Sequence, residues 1–297
     1  MNTASAAADS FAMSSPGRPS MFDAEAEAAR LGRAATSALH DELALYPKPG
    51  LVSFIDNGSH ADMTARTFLR SIVSLRDYFR RIAAIGAADA PFAALEQLGI
   101  AAERRMSLAT GGVNTHRGAI FTIGLLCAAA ARPSAERVGA LSAALVRARL
   151  IERWGAALAA RGDDGSESNG QRACRRHALH GARGEAADAF PVLFEIAVPT
   201  LTAALRDGLD RRHAQLQTFF AVMASLDDTN LVHRGGIDGL RYARRQASSF
   251  LAAGGAHRAD AVTHAERIHR EFVARRLSPG GSADVLAAAC FVARICG

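Results

Sequence analysis

Apolar residues recur at intervals of three and four along most of the chain, the spacing of helices that bury one face. Over 22–45 the series Ala28, Leu31, Ala35, Leu39 and Leu43 predicts a helix that stops before Tyr46-Pro47. The same reading predicts helices over 64–85, 91–108, 134–160, 190–206, 209–226, 237–253 and 258–276. Two more are apolar throughout, one over 119–131 and one from Val285 to the end. No alternating strand pattern of useful length occurs, nor a repeat at a fixed period. The expectation is an all-α fold: one single-domain multi-helix bundle over 22–297, preceded by an Ala- and Ser-rich leader over 1–21 that reads as disordered.

Composition agrees with that pattern. The 297 residues suffice for one large domain with ample core, and aromatics make up only 6%. The formal charge of +6 comes mostly from arginine and suits a polyanionic small molecule. There is no basic tail and no basic stripe interleaved with aromatics, so nucleic acid is not an expected partner. The four cysteines, Cys127, Cys174, Cys290 and Cys296, have no CxxC spacing. Cys127 and Cys290 lie in apolar helical runs and read as buried thiols of a reducing compartment. The run 118–131 falls short of the roughly 20 residues that span a bilayer, and no secretory pattern opens the chain. A cytoplasmic protein without membrane contact is the simplest expectation.

The helices are ordinary; five turns between them are not. Residues 110–118 read Thr-Gly-Gly-Val-Asn-Thr-His-Arg-Gly. Gly111 and Gly112 permit tight turns and close approach to a ligand. Asn114, His116 and Arg117 add three polar heads, and Thr115 is placed to cap the next helix. A helix start beside an arginine is a natural seat for an anion. Lys48 lies between two prolines, with Asp56, His60 and Asp62 in the loop that follows. Arg183 and Glu185 sit between Gly181 and Phe190-Pro191. Asp227-Asp228 precedes Arg234-Gly235-Gly236, and Ser278-Pro279-Gly280-Gly281 precedes Asp284. Basic heads with glycines suit phosphates, and carboxylates in the same site suit Mg²⁺ bridging phosphate oxygens. If the turns converge, they make a site for a nucleoside triphosphate.

Plainer readings accompany these. Asp62 or Thr64 suits an N-cap, and His177 with His180 lacks a third ligand at metal spacing and reads as solvent or capping chemistry. His264 and His269 read as surface residues, and the polar segment 162–171 as a surface loop. No P-loop, GxGxxG, GxSxG or HExxH motif is present.

Taken in order, the five turns resemble the triphosphoribosyl-dephospho-CoA synthase family. The matching stretches are 46–52 with 57–63, 110–121, 181–186, 228–230 with 234–236, and 277–284, and the likeness runs from about Leu31 to the C-terminus. Arg117 and the run 51–56 resemble the malonate decarboxylase branch more than the citrate lyase branch. Two departures stand out: Ala189 where glycine is expected, and the polar insert over 162–171. The resemblance implies that ATP and 3′-dephospho-CoA are substrates, that adenine is released, and that Mg²⁺ accompanies the ATP. It also implies a downstream holo-acyl-carrier transferase and acyl-carrier subunit.

Glycosyl transfer of this kind passes through an oxocarbenium-like transition state, which carboxylates stabilise. On that basis Lys48, Gly111, Gly112, Asn114, Thr115, Arg117, Arg183, Arg234, Gly235, Gly236, Ser278, Gly280 and Gly281 are assigned to phosphate and substrate binding. Asp62, Asp227, Asp228 and Asp284 are assigned to metal, Glu185 to the general base, and His116 to the adenine or its proton, with Asp228 also in the catalytic set. A Mg²⁺-dependent hydrolase of ADP-ribosyl N-glycosides and a non-catalytic helical module remain the rival readings.

Overall fold

The computed structural model describes residues 21–132, 140–160 and 179–297. The expected helical stretch 134–139, the insert 162–171, Cys174, His177 and nearly all of the leader lie outside the described residues. The described chain is a single multi-helix bundle with no strand among the described residues. Its elements are α1 (Met21–Ala44), α2 (Ala65–Ala87), α3 (Phe92–Thr110), α4 (Arg117–Ala130), α5 (Ala143–Ala160) and α6 (Gly181–Ala187). A π-helical turn (Val192–Ala197) then runs into α7 (Val198–Arg206), followed by α8 (Arg211–Ser225), α9 (Thr229–Ala252), α10 (Ala261–Ala274) and α11 (Gly280–Cys296).

Local chemistry explains where several of these begin. Thr64 and Thr67 exchange side-chain and backbone hydrogen bonds in a capping box that starts α2. Asp210 accepts from His213 N at 2.8 Å and starts α8. Gly111, at φ 70°, closes α3 in the left-handed conformation.

Helix α4 is buried on nearly every side, as an all-apolar helix must be, and lies against α1, α2, α3, α5 and α11. α11 lies against α1, α4 and α8, and its residues from Leu286 to Val292 are buried. Small residues let these elements approach closely. A Cβ on Gly86 of α2 would overlap the backbone of Ala128 in α4. Leu31, Leu39, Leu75, Phe79, Leu126 and Phe291 fill the same core, and Phe220 of α8 stacks on Phe250 of α9 at 3.8 Å. Cys127 and Cys290 are buried free thiols. Among the described residues no single helix is long and apolar enough to cross a membrane; one pair bent by 79°, Gly181–Ala187 with Val192–Arg206, reaches that length and composition together.

Three of the five turns are less turn-like than expected: 181–186 lies within α6, and two others are taken up by α9 and α11. α9 already begins at Thr229 and absorbs Arg234-Gly235, breaking only at Gly236 (φ 63°, ψ −169°). α11 begins at Gly280, so Gly280-Gly281 forms its first turn. In both cases an aspartate from outside the helical pattern makes the early start possible.

Candidate active site

That aspartate is Asp228. It N-caps α9, where Oδ1 accepts from Asn230 N at 3.0 Å. Its Oδ2 accepts from Ser282 N at 2.8 Å and Ser282 Oγ at 2.9 Å, and Gly281 N donates as well. One buried carboxyl therefore holds the N-termini of two helices. Asp284, two residues further along α11, continues the chain of caps by accepting from Ala119 N at the start of α4. Gly118 is what lets it in: a Cβ there would overlap the Asp284 carboxyl. Three helix ends, α4, α9 and α11, are thus tied together by two aspartates.

This corrects the reading of the 110–118 stretch. Two of the N–H groups expected to seat an outside anion are taken: Ala119 N by Asp284, and Arg117 N by Asn114 Oδ1 at 3.2 Å. Thr115 is not the cap either; His116 occupies the N-cap position without a side-chain capping bond. Arg117 points outward, its side chain 59% exposed and paired with Glu103 at 2.8 Å. Gly111 and Gly112, both at positive φ, lie exposed on the same rim.

Beneath the helix ends lies Lys48, fully buried. Its ammonium donates to the Glu42 carbonyl at 2.6 Å and forms an ion pair with the Glu42 carboxylate. Burial pushes the lysine down, against the pull of Glu42. Lys48 therefore sits in the floor of the site, committed to α1, and not on a solvent-facing phosphate shelf. Its carbonyl accepts from His269 Nδ1 at 2.8 Å, and His269 Nε2 lies 3.1 Å from Asp56 Oδ2. His269, expected on the surface, is buried and pins the Lys48 loop to α10. Desolvation, reinforced by the neighbouring Glu42 and Asp228, raises the Asp284 carboxyl well above the usual carboxylate range. Burial raises Asp228 too, although its four donors oppose the shift.

A second set of bonds joins the first, fourth and fifth turns. Arg234 donates to the carbonyl of Ser59 at 3.2 Å, and through its other nitrogen to His60 Nδ1 at 2.9 Å. With Nδ1 accepting, His60 Nε2 carries the proton and donates to Ser278 Oγ at 2.8 Å. Ser59 Oγ donates to the Leu277 carbonyl at 2.6 Å. Burial and the arginine lower His60, with Asp62 opposing from 3.6 Å. Gly235 is exposed above Leu277, whose side chain would meet a Cβ there.

The third turn attaches through Asp227. His180 N donates to Asp227 Oδ2 at 2.9 Å, and Arg244 pairs with Oδ1 at 2.7 Å. His180 starts α6 and pairs with Asp188 at 2.8 Å. Glu185, on α6 with a half-buried Arg183, is buried and accepts from Val192 N at 3.1 Å. Desolvation raises its carboxyl, with the Val192 N–H opposing.

The four carboxylates assigned to metal are engaged with other partners in this arrangement. Asp62 is exposed beside His60, Asp227 is paired with Arg244, Asp228 has both oxygens engaged as a cap, and Asp284 meets Ala119 N. Among the described residues no group of three or more His, Cys, Asp or Glu side chains is arranged to hold a metal ion. No chemical step is assigned to a resident cation.

Two buried polar atoms lack any partner where α4 begins, Thr115 Oγ1 and His116 Nε2. The His116 ring is buried, lies beside Phe68 edge-on at 5.0 Å, and meets Ser71 Oγ through Nδ1 at 2.7 Å. Desolvation, with the charge of Lys48 behind it, lowers the ring to about 3. His116 is thus a neutral imidazole at neutral pH.

Four of the five turns therefore meet directly, and the third joins through Asp227. Glu42, Ser71, His269 and Arg244 complete the arrangement without having been legible as site residues. Their partners are distant in sequence, except for Glu42, whose helical position hid its link to Lys48.

The geometry can be set beside known proteins. The family model for CitG, ATP:dephospho-CoA triphosphoribosyl transferase, matches residues 28–297. The chain is 36% identical over 274 residues to a protein of Acinetobacter calcoaceticus named "Probable 2-(5''-triphosphoribosyl)-3'-dephosphocoenzyme-A synthase", covering 92% of this chain and 94% of that one. It is 41% identical over 267 residues to the 2-(5''-triphosphoribosyl)-3'-dephosphocoenzyme-A synthase of Pectobacterium atrosepticum, covering 84% of each. No solved structure matches significantly. The chain belongs to the ATP:dephospho-CoA triphosphoribosyl transferase family and is an enzyme of the pentosyltransferase class.

Proposed function

We propose that the chain transfers the 5-triphosphoribosyl group of ATP to the 2′-hydroxyl of 3′-dephospho-CoA and releases adenine. The observation that carries this reading is the layering of charge. A floor of buried Glu42 and Asp228 and half-buried Asp284, with Lys48 paired to Glu42, lies beneath exposed Arg117 and Arg234. Triphosphate belongs on the arginine rim, and a ribosyl cation belongs over the carboxylates.

In the step itself, the acceptor oxygen forms a bond to C1 of the ATP ribose as the C1–N9 bond breaks. The bonding pair leaves with adenine, and the triphosphate is untouched. The hydroxyl proton passes to Glu185, whose carboxyl is raised above the ordinary glutamate range by burial, making it a stronger base than a solvated one. The departing adenine gains one proton, so the overall reaction is proton-neutral. Gly111, Gly112, Asn114, Gly235 and Gly236 line the rim against the nucleotide, with Ser278 buried behind it against His60 and Arg183 beside Glu185. Mg²⁺ is read as part of the nucleotide substrate.

The finer reading is service to malonate decarboxylase, supported by Arg117 and the run 51–56. The product would then pass to a holo-acyl-carrier transferase and the acyl-carrier subunit. Mass spectrometry of the CoA-derived product tests the reaction: dephospho-CoA should gain one triphosphoribosyl unit. Free triphosphoribose with unaltered dephospho-CoA would instead identify a hydrolase. Supplying that product and the transferase to each apo acyl-carrier subunit tests the branch; modification of the citrate lyase subunit alone would overturn it.

A further inference from the structure

Ser71 lies in α2, outside every turn that builds the site, and is fully buried. Among the described residues its hydroxyl has one side-chain partner, His116 Nδ1 at 2.7 Å. Two proton arrangements are open to this pair, because a neutral imidazole carries one N–H. If Nδ1–H donates to Ser71, the serine proton has no acceptor and Nε2 is a bare, buried lone pair. If the serine hydroxyl donates to Nδ1, only Nε2–H is left without a partner. Each unmatched buried polar group costs about 1–3 kcal/mol, so the arrangement with one wins.

We propose that Ser71 is a positioning residue that fixes His116 as its Nε2–H tautomer, presenting one preset donor to a ring nitrogen of the departing purine. The inference rests on the reading of the reaction given above for its last part; the tautomer does not. Three contacts hold the donor in place. Ser71 fixes Nδ1, Phe68, one turn earlier on α2, packs edge-on to the ring at 5.0 Å, and the His116 backbone N meets Met106 Sδ at 3.3 Å. Nε2 and the adjacent Thr115 Oγ1 are the two polar atoms left unmatched there.

Such a donor answers the chemistry of base loss. As the C1–N9 bond lengthens, negative charge grows on the purine, and a hydrogen bond to a ring nitrogen gains strength as it does so. A ring neutral at working pH donates a hydrogen bond there and not its proton. This narrows the part of His116 from either contact or proton to contact. The proton that adenine finally carries comes from elsewhere, with Glu185 as the residue that accepts one in the same step.

The test uses full-length protein labelled with ¹⁵N-histidine, with the His116 signals assigned from a His116→Gln variant. The wild type should show the Nε2–H pattern for His116 at neutral pH. Ser71→Ala should abolish that preference while retaining the helical circular-dichroism signal and cooperative unfolding. It should also lower kcat by about tenfold with little change in KM for ATP. An Nδ1–H pattern in the wild type, or a Ser71→Ala spectrum unchanged from it, would overturn the tautomer assignment. A changed tautomer with unchanged kcat would instead overturn the placement of His116 at the purine, and with it that part of the proposed function.

Discussion

At Glu185, burial affects folding and chemistry in opposite senses. The carboxyl is raised above its ordinary range by desolvation, so between the unfolded and folded values the native state holds more protons than the unfolded chain. Its contribution to stability is therefore greatest below the ordinary glutamate range and declines as pH rises through the folded value. Glu185→Gln keeps an acceptor for Val192 N and removes the charge. The variant should be more stable than wild type above that window and similar below it, by denaturant midpoints measured across pH. Its single-turnover rate should fall by roughly 10²–10⁴. Near-normal turnover would show that the base is another group. Ala189 makes a different residue-scale point. It holds φ 56° where the resemblance calls for glycine, and Phe190 follows at φ 55°. Left-handed backbone costs a non-glycine residue about 1–2 kcal/mol, while glycine loses roughly 0.4–1 kcal/mol in the unfolded chain. Ala189→Gly should thus gain about 0.5–1 kcal/mol in urea unfolding, with no loss of activity.

Among the elements, the decisive feature is the joining of helix ends by aspartates from other helices. Gly118→Ala tests it, because the new methyl would meet the Asp284 carboxyl and force α4 from α11. Overpacking of this kind costs about 1–3 kcal/mol, and turnover should collapse along with it. Gly208→Ala is the control. Its Cβ meets nothing within 4 Å, so only the strain of φ 89° is expected, about 1–2 kcal/mol. Equal loss of activity in both variants would dissociate the helix junction from function. The same feature explains what the sequence revealed of the elements. Periodicity and Pro/Gly punctuation located most of the described helices, because each depends on residues close together in the chain, but short α6 reads as a turn from its glycines. The start of α11 was misplaced because the Asp228 side chain that caps it reaches Ser282 across more than fifty positions of sequence, whereas α9 has a local Asp228 cap and was misplaced because Asp227-Asp228 read as a metal-binding turn.

For the whole molecule, the chemistry-bearing turns could be read from residue types, but what each side chain meets could not. Lys48 looked like a phosphate ligand because prolines flank it; its burial against Glu42 is a consequence of where α1 ends. His269 looked exposed because it falls on a charged amphipathic helix, yet its ring turns inward to the Lys48 loop. Ser71 carries no signal at all, being one small residue in an apolar face. The resulting molecule has carboxyl groups at three converging helix ends and arginines above them, and the proposed transfer needs both layers occupied together. The most direct test follows adenine by chromatography, with MgATP alone and then with 3′-dephospho-CoA added. Adenine should appear only after the acceptor is added, in amounts equal to the dephospho-CoA consumed and with no ADP formed. Adenine released from ATP without the acceptor, or ADP in its place, would contradict the account.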